Sequence, residues 1–95
     1  MADDLEAFVD EGIRRARERG YHPTAFVQMR ERYLTVEAIR RLVRSGDIQS
    51  GFKPMKELGM LEWTLEQAVI QFPQHFNNQD IAAAEWRLAQ AAAAP

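Results

Sequence analysis

The chain has 95 residues and a net charge of −2, room for one small domain against a prior of roughly 150 residues per domain. It has no cysteine, which excludes a disulfide scaffold, a thiolate metal site and a cysteine nucleophile. Its hydrophobic runs fall far short of the ~20 residues that span a bilayer, and the opening Met1-Ala2-Asp3-Asp4 is acidic where a signal peptide is basic and then apolar, so a soluble, cytoplasmic domain is expected.

Residues 3–19 form the first predicted helix. Leu5, Phe8, Val9, Ile13 and Ala16 recur at helical spacing and make one apolar stripe. Gly12 lies on that stripe and admits a close neighbour, at a helix-propensity cost of ~1 kcal/mol relative to alanine. Asp3 or Asp4 can cap the start, and Gly20 sits where a helix takes a left-handed stop residue. Tyr21-His22-Pro23 breaks the chain, with Pro23 suited to the first turn of a second helix that runs to about Arg32. Phe26, Met29 and Tyr33 are its apolar positions. Thr35 is the expected cap of a third helix over 36–45, with Val36, Ile39, Leu42 and Val43 inward and Arg40, Arg41 and Arg44 off that stripe.

Ser45 to Gly51 is polar, carries two glycines and reads as a loop. Phe52 to Leu58 reads as a short helical turn or helix closed by Gly59. Met60, Leu61 and Trp63 lead into Thr64-Leu65-Glu66-Gln67, a capping box that opens a fifth helix with Leu65, Ala68, Val69 and Phe72 inward. Pro73 ends it. Asn77 or Asn78 caps a last helix over 79–92, with Ile81, Ala84 and Leu88 on its inner stripe and Trp86 off it. No segment alternates over β-branched or aromatic residues. The expected fold is therefore all-α, a compact single domain of five or six short helices. Residues 1–20 form an amphipathic N-terminal helix, 21–92 the helical domain and 93–95 a frayed tail.

Charge is unevenly placed along this frame. Residues 1–11 carry five acids and no base, residues 12–56 eleven bases against four acids, and residues 57–95 five acids against Arg87. Acids at a helix start and bases at its end are what the helix dipole favours. The basic segment is nonetheless the one feature that could track a phosphate backbone: Arg14 with Arg17, Arg15 with Arg19, and Arg40 with Arg44 share helix faces, and Arg41 lies alongside.

No catalytic, cofactor or metal constellation is legible. His22 and His75 are far apart and neither has a second ligand at the spacing a zinc site needs. Asp3-Asp4 and Asp10-Glu11 are adjacent acids pointing about 100° apart on a helix, unlike the carboxylates that flank a glycosidase cleft. Nothing pairs a nucleophile with a base, and the Gly46 to Gly51 stretch lacks the Gly-Lys-Ser/Thr ending of a phosphate loop. Large aromatics off the core stripe often anchor interfaces, which singles out Trp86, Phe52 and Trp63. In so small a core Trp63 and Phe52 also read as core.

Tyr21 to Leu88 resembles a family of small, uncharacterised, all-helical bacterial domains. The resemblance rests on Tyr21-His22-Pro23-Thr24-Ala25-Phe26-Val27-Gln28-Met29, Gly51-Phe52, Glu57-Leu58-Gly59-Met60-Leu61, Thr64-Leu65-Glu66 and Arg87-Leu88. The stretch Met60-Leu61-Glu62-Trp63 departs from it by lacking a basic residue, and residues 1–20 lie outside it. Domains of this kind occur alone or beside nuclease and helicase modules of bacterial defence systems, with no activity established. With no catalytic constellation and a candidate interface aromatic, the resemblance leads to the expectation of a non-enzymatic protein-interaction module, an adaptor or inhibitor in a bacterial or phage defence setting. The alternative expectation is a nucleic-acid accessory domain using Arg14, Arg15, Arg19, Arg40, Arg41 and Arg44. A homodimer through the Leu5/Phe8/Ile13 stripe is allowed if the chain's own core leaves that stripe free. No cofactor and no membrane partner are expected.

Overall fold

The computed structural model describes residues 4–44 and 52–93; the side chains of Phe52 and of 91–93 lie outside that description. So do the expected loop Ser45–Gly51, the Asp3 cap and residues 94–95. The fold is all-α. In chain order come α1 (Asp4–Glu18), α2 (Thr24–Arg44), α3 (Phe52–Glu57), a 3-10 turn (Leu61–Trp63), α4 (Leu65–Gln71), a second 3-10 turn (Pro73–His75) and α5 (Asn78–Ala93). Among the described residues there is no strand, and no helix is long and apolar enough to cross a membrane.

Helix ends are written locally. Gly20 has φ +88° and stops α1 in a Schellman motif: the Tyr21 N–H donates to Ala16 O at 2.9 Å and the Gly20 N–H to Arg17 O at 3.0 Å. Gly59, φ +72°, does the same after α3, with Met60 N–H on Met55 O at 2.9 Å and Gly59 N–H on Lys56 O at 3.0 Å. Each motif turns an apolar residue back onto its own helix. Tyr21 and Met60 thereby meet Ala16, Met55, Leu58 and Trp63 in a small cluster under α1. Thr64 caps α4 by accepting the Gln67 N–H at 3.1 Å. Asn77 caps α5 in a reciprocal box: its Oδ1 accepts the Asp80 N–H at 2.9 Å, and Asp80 Oδ2 accepts the Asn77 N–H at 3.2 Å.

The predicted second and third helices are joined in α2, broken at Leu34 (φ 68°, ψ 174°) into segments 24–33 and 35–44. The expected cap, Thr35, is used otherwise. Its buried hydroxyl donates to Glu6 on α1 at 2.7 Å and accepts from Arg30 Nε at 2.9 Å. Arg30 also donates to Glu6 and, at 2.7 Å, to Asp10. Burial pulls the Arg30 pKa down, but these two carboxylates outweigh it and leave it raised. One arginine thus ties α1 to both sides of the break.

The main core draws Leu5 and Val9 from α1, Phe26, Ala38, Ile39 and Val43 from α2, Ala68 and Val69 from α4, and Ala84 from α5. Residues 1–20, outside the family resemblance, therefore supply part of the same core as the rest. The Cα radius of gyration is 12.3 Å, matching the ~12 Å of a globular chain of this length.

Candidate functional site

Trp86 stands on the outer face of α5 with 55% of its surface exposed. Three and four residues away along the helix stand Ala82, Ala89 and Gln90, all exposed, and the half-buried Ala83. The inner face of α5 carries Ala84 and the partly buried Ile81 and Leu88, as its stripe predicted. The result is one wide aromatic ring rising from small side chains, on a helix whose other face is anchored to α4 and α2.

Trp63 is placed differently. Its ring stacks on Phe8 at 5.0 Å between centroids, with the Arg15 guanidinium 4.6 Å over the ring. Its backbone carbonyl faces Gly12, where an added Cβ would sit 3.2 Å away. The close neighbour that Gly12 was expected to admit is therefore Trp63. Phe8 also meets Phe72 edge-on at 5.6 Å, Leu5 is fully buried and Ile13 packs against the core. The Leu5/Phe8/Ile13 stripe considered for a homodimer is engaged within the chain. Phe52, the third candidate anchor, has its side chain outside the described residues.

The six arginines of the nucleic-acid expectation all have partners inside the chain. Arg14 pairs with Glu11 and Glu18, and Arg15 with Glu11 at 2.8 Å. The hydrogen bond from Arg14 foremost, against some desolvation and with Arg15 adding, holds the Glu11 carboxyl at about 2 instead of 4.5. Arg19 donates to Leu58 O at 3.1 Å. Arg41 reaches Glu37 at 3.1 Å and lies 4.1 Å over the Tyr33 ring. Arg40 Nε donates to Asp80 Oδ2 at 2.8 Å, and Arg44 approaches Asp80 Oδ1 at 3.7 Å while donating to Gln79 at 3.1 Å. Asp80 is fully buried, so these two arginines supply the charge that lets a carboxylate sit inside the α2–α5 contact. Arg17, by contrast, has no ion pair among the described residues.

A second buried ion pair escaped the sequence reading. Glu66 Oε2 accepts from Arg87 Nε at 2.6 Å, joining α4 to α5 with both side chains buried. The pair borders a half-open cavity of about 90 Å³ under α1. Phe8, Ile13, Phe26, Leu42, Met55 and Trp63 wall it, and the exposed Ala25 and half-buried Pro23 lie at its outer edge. Tyr21 also borders it, its hydroxyl pKa pushed up by burial. Both partners of the ion pair belong to the segments that carried the family resemblance, Thr64-Leu65-Glu66 and Arg87-Leu88.

Among the described residues, no three His, Asp or Glu side chains gather where a metal ion could be held. His22 is exposed, and His75 meets the Phe76 ring edge-on at 6.5 Å. No family model, no curated protein and no solved structure matches this chain.

Proposed function

We propose that this domain is a non-catalytic protein-interaction module whose partner docks on the outer face of α5, with Trp86 as the anchor. The observation that carries this reading is a tryptophan 55% exposed on a helix otherwise rooted in the core. Tryptophan is among the residues that most often dominate interface energetics, because a large rigid ring is desolvated at small entropic cost. The small flanking residues would let a partner backbone approach that ring closely. The family resemblance adds the setting: an adaptor or inhibitor in the bacterial cytoplasm, beside defence nucleases or helicases. The nucleic-acid reading has less support, since each arginine it would use already holds a carboxylate, a carbonyl or an aromatic ring of the same chain.

Two experiments separate these readings. Wild-type protein and Trp86→Ala are immobilised side by side and exposed to lysate. The expected result is a partner held by the first and reduced at least tenfold on the second, a loss of ~1.4 kcal/mol or more, with unchanged helical circular dichroism. Equal capture removes Trp86 from the interface. Anisotropy with labelled duplex DNA, single-stranded DNA and RNA at low salt should show no binding. Binding that Arg40→Glu with Arg44→Glu weakens, with a flatter salt slope, would reverse the preference.

A further inference from the structure

The half-open cavity has a chemistry that the α5 interaction face does not use. Its walls are apolar, which suits an apolar occupant. Two polar groups bordering it have no hydrogen-bond partner among the described residues: the Tyr21 hydroxyl, at the Schellman turn after α1, and one oxygen of Glu66. Glu66 is only 5% exposed, and its Oε2 is taken by Arg87. Among the described residues Oε1 has no hydrogen-bond partner. It is also not sealed in: the one fully buried, unpartnered side-chain polar atom among those residues is Asp80 Oδ1. A carboxylate oxygen that is both unpartnered and reachable, on a side chain bordering the cavity, is an acceptor waiting for a donor from that side.

We propose that the cavity under α1 is a binding site for a small, neutral, mostly apolar molecule carrying one N–H or O–H donor, which donates to Glu66. Size sets the first limit. An apolar cavity of ~150 Å³ holds benzene, so about 90 Å³ with an open mouth suits a ligand of roughly four or five heavy atoms. Charge sets the second. Glu66 is already paired with Arg87, so a cationic ligand would have to compete with that arginine for the carboxylate, and an anionic one would have to displace Glu66 from it. The donor sets the third: an occupant without one leaves the carboxylate oxygen dry and unpaired.

Five-membered rings make the test, because pyrrole and furan share a shape and only pyrrole has an N–H. Each is titrated into the full-length protein while the Met55 methyl and Trp63 indole N–H signals are followed by NMR. The Met29 methyl and the Trp86 indole, neither of which lines the cavity, are the internal references. Pyrrole should shift Met55 and Trp63 saturably below about 10 mM, a range suited to so few ligand atoms, and leave the references still. Furan should bind at least tenfold more weakly, and protonated pyrrolidine should not bind there. Ala25→Phe, a change at an exposed position on the cavity edge, should weaken pyrrole at least tenfold. No saturable shift with pyrrole would overturn the site. Furan equal to pyrrole, or pyrrolidine binding as well as pyrrole, would overturn the ligand class. If Ala25→Phe fails to fold, the comparison of pyrrole with furan on the wild-type chain still decides.

Discussion

Leu34 holds a backbone conformation, φ 68° and ψ 174°, that is essentially glycine's own. A leucine there carries strain of about 1–3 kcal/mol, and with 76% of its surface exposed it recovers little by burial. Leu34→Gly relieves that strain, while glycine adds ~0.5–1 kcal/mol of unfolded-state entropy. The expected net is about 1 kcal/mol of added stability, or a Tm higher by roughly 4–8 °C in a domain of this size. Leu34→Ala keeps the strained geometry and should gain nothing; a thermal melt distinguishes the two. The Glu66–Arg87 pair is the opposite case, two buried charged groups joined at 2.6 Å. Removing one partner, as in Glu66→Leu, should cost about 3–5 kcal/mol by leaving a buried charge. The double change Glu66→Leu with Arg87→Met should recover most of that loss. A urea-monitored double-mutant cycle reads the coupling, and additive single effects would show that the pair is not a unit.

Along an element, the chemistry of α1 is set by spacing. Glu11 lies three residues before Arg14 and four before Arg15, so one carboxylate serves two guanidinium groups on the helix surface. Its pKa in the folded chain, about 2, is below its ordinary 4.5. Folding therefore holds this proton less tightly than unfolding does. The pair's contribution is fully present above pH 4.5 and is lost as the pH falls toward 2. The side-chain carboxyl resonance of Glu11 should titrate near 2 at low ionic strength and move back toward 4.5 in 1 M salt, because the groups are exposed and screened. In Glu11→Gln that segment of the acid-stability curve should be missing. A Glu11 resonance that titrates at 4.5 in dilute buffer would mean the arginines point elsewhere in solution.

For the whole molecule, much of the frame was legible. Periodicity located α1, the two segments of α2, α4 and α5, Gly59 marked the short α3, and Gly20, Thr64, Pro73 and Asn77 marked where the others stop or start. These are local signals, complete within a turn or two of chain. The break near 33–35 was legible too, but its owner was not. A strained φ at a leucine has no sequence signature, and Thr35, which reads as a cap, is claimed by Glu6 from 29 residues away. Trp86 could be picked out because it falls off the stripe of its own helix. The cavity and its ion pair could not. Glu66 and Asp80 sit in capping boxes and read as solvated first-turn acids, whereas their burial depends on Arg87, Arg40 and Arg44 arriving from other helices. Pairing between elements is a property of the packed chain, invisible to any window of residues.

The crowded middle of the chain, eleven bases in residues 12–56, has a consequence once its partners are known. Its arginines stand largely against carboxylates of the same chain, so the protein carries its own counterions, covalently attached and in register. A polyanion that approached this surface would have to displace Glu11, Glu37 and Asp80 from their arginines before it could shed its own condensed counterions. The entropy of that ion release, which drives most nucleic-acid association, would be offset by the loss of pairs that brace α1 and α2 internally and join α2 to α5.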